Sequence, residues 1–158
     1  MNFSSTGSSS LWMAFTRIAV GIMFLFFAQY KLIHRDFAHG GYEKYVHSYV
    51  QESSVNFYKP VLNKTLQHPV IVGYTVGVME LLVGLSMVLG WWTKTFSVVG
   101  ALFMLNLTLA TWKLPPGSAS WMYFGRQLDH IPLILLFIIF IAHDAGKSLG
   151  LDGSPRST

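Results

Sequence analysis

The feature that most constrains this chain is an apolar run of helical length that contains a single acidic residue. The run covers residues 70–92, VIVGYTVGVMELLVGLSMVLGWW, and Glu80 lies close to its middle. At about 1.5 Å per residue, such a helix crosses a hydrocarbon core of about 30 Å and places Glu80 near the bilayer midplane. Two interpretations stay open. Glu80 is a functional group, or it is a structural carboxylate that is protonated or paired with an arginine.

The composition of the chain is typical of a membrane protein. Of 158 residues, 52% are hydrophobic and 11% are charged, whereas a soluble domain has roughly 25% charged residues. The length suits one domain with about four crossings. The net charge of +4 is spread over the loops without a basic block, which indicates attraction to lipid headgroups and not nucleic-acid binding. The absence of cysteine excludes disulfides and thiol-based redox centres.

Four apolar segments predict an all-α fold, an antiparallel four-helix bundle that spans the membrane. The predicted helices lie near residues 11–33, 69–92, 95–112 and 128–144. The very short connection Thr93-Lys94 makes the second and third helices antiparallel neighbours. The predicted transmembrane domain covers residues 11–146, between a polar N-terminal tail, 1–10, and a polar C-terminal tail, 147–158. The chain is therefore predicted to be a multi-pass integral membrane protein.

The loop between the first two predicted helices, residues 34–67, carries a helical pattern of its own. Within residues 42–51, apolar side chains recur at i, i+3, i+4, i+7 and i+8, starting from Tyr42. This spacing predicts a short amphipathic helix that lies on the membrane surface. A lid over a binding site is the alternative interpretation.

Polar side chains inside the predicted helices suggest a buried ion pair. We call the end of the bundle that holds both chain termini side A, and the opposite end side B. Counting about 1.5 Å per residue places Arg17 roughly 9 Å inside side A, and Glu80 and Asn106 roughly 17 Å inside it. Arg17 and Glu80 are therefore predicted to pair, with Asn106 and His143 as hydrogen-bonding neighbours. The alternative is that Arg17 extends to the membrane surface and Glu80 is neutral.

A second polar group lies near the helix ends at side B. Its members are Gln29, Lys31, His34, His68, Lys113, Arg126, Asp129 and His130. Such residues are often ordinary interfacial side chains, but Lys31, Arg126, Asp129 and His130 are also candidates to bind a headgroup, an anion or a quinone carbonyl. His68 lies at the depth of His130, which leaves haem ligation by two histidines as a further alternative. The sequence gives no secure metal site and no secure cofactor.

The order of these polar residues and of several glycines resembles the DoxX-like membrane proteins. The matching positions are Arg17 and Lys31 in the first helix, Glu80-x3-Gly84-x5-Gly90 followed by Thr93-Lys94, Asp129 at the start of the fourth helix, and Gly146-Lys147-Ser148-Leu149-Gly150-Leu151-Asp152. The resemblance spans nearly the whole chain. The family takes its name from the small membrane subunit of a thiosulfate:quinone oxidoreductase. The resemblance therefore implies quinone-linked electron transfer in a prokaryotic cytoplasmic membrane.

Two functional hypotheses of different classes follow. In the first, the chain is the membrane subunit of a quinone-linked redox complex, enzymatic only together with its partners, and it binds a quinone within the bundle. Glu80 or Asp129 then handles protons. Arg17 or Lys31 stabilises the reduced, anionic ring. In the second hypothesis, the chain is a non-catalytic accessory subunit that packs against a larger electron-transfer or photosynthetic complex and contacts its helices, lipids or pigments.

Both hypotheses predict that the chain works with partners in the lipid bilayer. It has no cysteine for clusters, no strong haem pair and no dinucleotide-binding glycine motif, so electrons have to come from another subunit. Gly73, Gly77 and Gly84 predict the close approach of a neighbouring helix, from inside the bundle or from outside it. Lysine and arginine are more numerous at side B, which the positive-inside rule places in the cytoplasm.

Overall fold

The computed structural model describes residues 5–114, 117–119, 121–125 and 127–153, and within these ranges the chain is helical and has no strand. The α-helices are α1 (Ser5–Ile33), α2 (Tyr42–Glu52), α3 (Lys59–Thr65), α4 (Pro69–Leu89), α5 (Thr93–Thr111), α6 (Met122–Gly125) and α7 (Ile131–Ala142). A π-helical turn covers Phe37–Gly41, and 3-10 turns cover Asn56–Tyr58, Ala145–Lys147 and Leu151–Gly153. The predicted all-α class is confirmed.

Three of the helices are long and apolar enough to cross a membrane. They are Ser9–Ile33 within α1, the whole of α4 and the whole of α5. The fourth predicted crossing corresponds to α7, an apolar helix of 12 residues. At about 1.5 Å per residue it covers roughly 18 Å, less than a hydrocarbon core of about 30 Å. The chain is thus an integral membrane protein with three candidate spans, and a complete four-helix bundle stays a prediction.

The connection between α4 and α5 lies earlier in the chain than predicted. Helix α4 ends at Leu89 because Gly90 adopts a left-handed conformation with φ of 64°, and its N–H donates to the carbonyl oxygen of Ser86 at 2.8 Å. Thr93 and Lys94, which we predicted as the turn, are the first residues of α5. The prediction of the turn was wrong because the glycine, and not the small basic pair, ends the helix.

The C-terminal segment, residues 145–153, folds back onto this connection. The carboxylate of Asp152 accepts two backbone N–H groups at the start of α5, at 2.8 and 2.9 Å, and so caps that helix from far along the chain. The fully buried Arg17 of α1 donates to two carbonyl oxygens of the segment, both at 3.2 Å. Residues that we predicted as the beginning of a polar tail therefore cover side A.

Helices α1 and α4 pack antiparallel, and glycines bring them close together. A Cβ atom added to Gly21 would lie 2.8 Å from a backbone nitrogen of α4. Cβ atoms added to Gly77 and Gly84 would each lie 2.8 Å from a leucine side chain of α1. Two of the glycines that predicted a close helix neighbour therefore contact α1 of the same chain.

The main core lies between α1, α4, α5 and α7. Phe24 of α1 and Phe137 of α7 are buried and make an edge-to-face contact, with ring centroids 5.6 Å apart. Met87 of α4 belongs to the same cluster. Gly100 of α5 lies directly against the Phe137 ring, because an added Cβ would come within 2.4 Å of it. The four helices are thus closely packed in the middle of the molecule.

Helices α2 and α3 fold against the side B halves of α4 and α5. Tyr42 of α2 is buried in a cluster with Leu62 of α3 and Ala110 of α5. The segment just after α2 is tied to the end of α5, because the N–H of Ser54 donates to the carbonyl oxygen of Trp112, the first residue after α5, at 2.7 Å. The predicted interfacial helix is confirmed as a helix, but its apolar face packs on the protein. We call residues 42–65 the cover.

Candidate functional site

A cavity of about 520 Å³ lies between the cover and the side B ends of α1, α4, α5 and the beginning of α7. Most of its wall is apolar or aromatic. The polar side chains that line it include Lys31, Tyr58, Asn106, Asp129 and His130. Small-molecule sites are typically apolar cavities of roughly 300–1,000 Å³ with a few such polar groups. We therefore take this cavity as the candidate functional site.

Lys31 contributes a positive charge to the cavity wall. Its ammonium pairs with the carboxylate of Glu80 on α4. The ammonium nitrogen also lies 5.7 Å from the centre of the Phe27 ring and 5.3 Å from the centre of the Phe37 ring. The Lys31 side chain is 17% exposed and the Glu80 side chain 3% exposed. The carboxylate offsets the cost of removing the ammonium from water, and the two ring faces attract it further.

Helix packing explains why Lys31 reaches Glu80. Lys31 lies in the last turn of α1, where a positive charge interacts favourably with the helix dipole. On the facing side of α4, a Cβ atom added to Gly77 would lie 3.2 Å from the Cβ of Lys31. The lysine therefore passes close to the α4 backbone and meets Glu80 about one turn further along that helix. Glu80 lies behind Lys31 and is not among the residues that line the cavity.

The predicted pair of Arg17 and Glu80 is wrong. Arg17 lies beside Gly90, because a Cβ atom added to that glycine would overlap the guanidinium group. At about 1.5 Å per residue, this position is roughly 15 Å along the chain direction from Glu80. Arg17 instead holds the C-terminal segment at side A, where the charge of Asp152 also acts on it. We predicted the wrong partner because residue counting places Lys31 near the membrane surface, whereas its side chain extends inward to Glu80.

Asn106 binds a residue of the cover and not the predicted partners. The hydroxyl of Tyr58 donates to the side-chain oxygen of Asn106, and both residues line the cavity. Burial raises the pKa of Tyr58 above its ordinary value, and the nearby Tyr42 adds to the shift. The phenol therefore stays protonated around neutral pH and keeps its donor. This hydrogen bond ties the cover to α5 at the cavity.

The remaining predicted site residues separate into two groups. Asp129 and His130 both line the cavity, and the ring nitrogen Nδ1 of His130 lies 3.2 Å from the side-chain oxygen of Gln127. His143 is exposed at the C-terminal end of α7, away from the cavity, and Arg126 lies outside the described residues.

Haem ligation by His68 and His130 gains no support from the structure, because His68 is exposed and does not line the cavity. Within the described ranges, no group of three or more His, Cys, Asp or Glu side chains could hold a metal ion.

Most of the aromatic wall was not predicted from the sequence. Tyr42, Tyr45 and Tyr49 of α2 line the cavity, although we assigned their helical stripe to the membrane surface. The alternative interpretation of this segment, a lid over a site, agrees better with their position. A usable signal was present in the residue type, because tyrosine combines an apolar ring with a hydroxyl that needs a polar partner when it is buried.

Comparisons with known proteins agree with the resemblance found in the sequence. No curated protein and no solved structure matches the chain. The DoxX family profile matches residues 12–112, which include most of α1 together with the cover, α4 and α5, and therefore most of the cavity wall. Because the match covers more than half of the 158 residues, this chain belongs to the DoxX family.

Proposed function

We propose that this protein is the membrane subunit of a quinone-linked redox complex and that its cavity binds the quinone ring. The observation that carries the proposal is the meeting of Lys31, Asn106, Asp129 and His130 at one cavity, from separate parts of the chain. The aromatic walls suit a flat ring. Hydrogen-bonding groups on different helices suit a ring that carries two carbonyl oxygens.

A bound quinone would supply the electron-accepting and proton-accepting chemistry. Lys31 would donate a hydrogen bond to one carbonyl oxygen, and its positive charge would favour the electron density that reduction adds there. Glu80 would act as a positioning residue, because it holds the ammonium at the cavity wall without reaching the cavity itself. This role differs from direct proton transfer between Glu80 and the ring.

The opposite part of the site would orient the ring and exchange protons. The amide N–H groups of Asn106 are available as donors for a second carbonyl oxygen, because its side-chain oxygen already accepts from Tyr58. Asp129 is exposed as well as lining the cavity, so it can pass protons between water at side B and the neighbouring His130. Electrons would come from a partner subunit, since the chain has no cysteine and no dinucleotide-binding glycine motif.

The test is gentle purification of the protein from its native membrane, followed by measurement of the quinone and the proteins that accompany it. Wild-type protein is compared with Lys31→Gln, with the double variant Lys31→Gln/Glu80→Gln, which leaves no unpaired buried charge, and with Lys64→Gln. Lys64 is an exposed residue of α3 that does not line the cavity, so it is the matched control.

We expect quinone in a fixed molar ratio in the wild type and in Lys64→Gln, and its loss from both variants at position 31. An intact larger complex without quinone in any sample would contradict the proposal. That result would favour the accessory-subunit hypothesis, and identification of a pigment in the complex would favour its photosynthetic form.

A further inference from the structure

We infer that the quinone has a long apolar tail and that this tail leaves the cavity through a gap between α1 and α7 that opens to lipid. The inference rests on the proposed function, since it concerns the same ligand. It adds the route of the ligand and the residues at its opening, neither of which follows from family membership or from the ring site.

We place this gap at side B, between α1 and the residues just before α7. Helix α1 packs mainly against α4, and α7 mainly against α5. The two pairs meet through Phe24 and Phe137 in the middle of the molecule. Nearer to side B, Phe27 and Tyr30 of α1 line the cavity and are nevertheless 50% and 54% exposed. Asp129, just before α7, also lines the cavity and is exposed.

The cover closes part of the opposite wall. Phe37, just before the cover, and Tyr42 and Leu62 of the cover form a buried cluster with Ala110 of α5. Away from this cluster, Tyr45 and Val61 line the cavity and are 52% and 49% exposed. The hydrogen bond from Tyr58 to Asn106 ties the cover to α5 at the same place. An apolar tail would have to separate these packed side chains to leave at the cluster, whereas Phe27 lines the cavity and is half exposed within a candidate membrane span.

The height of the gap suits a ligand that is dissolved in the bilayer. Between Phe27 and Ile33, the last residue of α1, the helix rises roughly 9 Å at about 1.5 Å per residue. Phe27 therefore lies at the level of the acyl chains, while Tyr30 and Asp129 lie closer to the headgroups. A tail that passes Phe27 stays in apolar surroundings and is not transferred to water, so its position in the gap costs little hydrophobic free energy.

The cavity volume also argues that the tail lies outside. About 520 Å³ is in the lower half of the usual range for small-molecule sites, roughly 300–1,000 Å³, and suits a substituted ring better than a ring with a long chain. Lys31, one turn beyond Phe27 on α1, would hold the ring at the inner end of the gap.

Adjacent phenylalanines of α1 provide a matched pair for the test. Phe27 lines the cavity, whereas Phe26 is 67% exposed and does not line it. Because the natural chain has no cysteine, Phe27→Cys and Phe26→Cys each offer a single position for a bulky maleimide. Tyr30→Cys, at the same opening, replaces Phe27→Cys if that variant does not fold. Each protein is reconstituted in nanodiscs, and its affinity for decyl-benzoquinone and for the same ring without a tail is measured before and after labelling.

We expect the label at position 27 to weaken binding of decyl-benzoquinone by roughly tenfold or more, with less than about a twofold change for the ring without a tail. The label at position 26 should change neither affinity. The inference is overturned if the label at position 27 affects both ligands equally or neither. If unlabelled protein binds neither ligand, the proposed function fails and the inference falls with it, so the two failures are distinguishable.

Discussion

The ion pair between Lys31 and Glu80 predicts an unequal response to two single substitutions. In Lys31→Met, Glu80 keeps its carboxylate in a position that is 3% exposed and loses its partner. The carboxylate then stays charged without compensation or takes up a proton. Leaving one charge of a buried pair uncompensated costs about 3–5 kcal/mol, and neutralising an ordinary Glu carboxyl at pH 7 costs about 4 kcal/mol. We therefore expect Lys31→Met to lower the free energy of unfolding by about 3–4 kcal/mol.

The converse variant, Glu80→Leu, leaves an ammonium that can find water. Lys31 lies in the last turn of α1 and is already 17% exposed, so its long side chain can extend to the headgroup region. We expect a cost of about 1 kcal/mol or less for this variant. In the double variant Lys31→Met/Glu80→Leu no buried charge remains, and its stability should lie within about 1 kcal/mol of the wild type or above it.

Unfolding of the purified protein in mixed micelles, followed by circular dichroism, measures all four free energies in a double-mutant cycle. The predicted order places Lys31→Met well below the other three proteins. Equal costs of both single substitutions, each below about 1 kcal/mol, would contradict this order. An interaction energy near zero in the cycle would show that the two groups do not stabilise each other.

Three further predictions concern other parts of the molecule. Arg17→Leu removes the donor to two carbonyl oxygens of the C-terminal segment, so this segment should be cleaved faster in limited proteolysis, and an unchanged rate would speak against that role. Gly21→Ala should cost about 1–3 kcal/mol of unfolding free energy, more than Gly77→Ala. The added methyl meets a backbone atom of α4 in the first case and a movable leucine side chain in the second, so equal costs in mixed micelles would contradict this packing. The hydrogen bond and charge of Lys113 hold the pKa of Glu52 below its ordinary value. The ion pair between Lys113 and Glu52 is therefore fully formed at pH values above the ordinary Glu pKa, and it is lost as the pH falls through the lowered pKa of Glu52. An NMR titration should show Lys113→Gln raising the pKa of Glu52 toward the ordinary value, and an unshifted curve would exclude the pairing.

The features of the fold that depend on local sequence were predictable. Apolar runs identified the long helices, and the stripe that starts at Tyr42 identified α2. Gly90 was available as a stop signal for α4, but we extended the helix to Trp92 because apolar residues continue past the glycine. A positive φ depends on the residue type and not on its hydrophobicity, which is why a hydropathy argument misplaced the turn.

Contacts between distant parts of the chain were not predictable from depth alone. Residue counting gives the height of a side chain in the bilayer but not the helix face that it occupies, so it assigned Glu80 to Arg17 and missed Lys31. The capping of α5 by Asp152 and the bond from Tyr58 to Asn106 join positions separated by many residues. The local sequence around each of these residues does not indicate which distant residue it contacts.

Photolabelling can show whether the ring of a quinone binds in the cavity between α1, α5 and the cover. The purified chain in nanodiscs is irradiated with a quinone that carries a photoreactive group on its ring, with and without excess unlabelled quinone, and the modified peptides are identified by mass spectrometry. We predict competed labels on the side B part of α1 around Lys31, on α5 around Asn106 and on the cover around Tyr58. Competed labels at side A, around Arg17 and the C-terminal segment, or on the lipid-facing side of α1 at Phe26, would show that the ring binds outside the cavity.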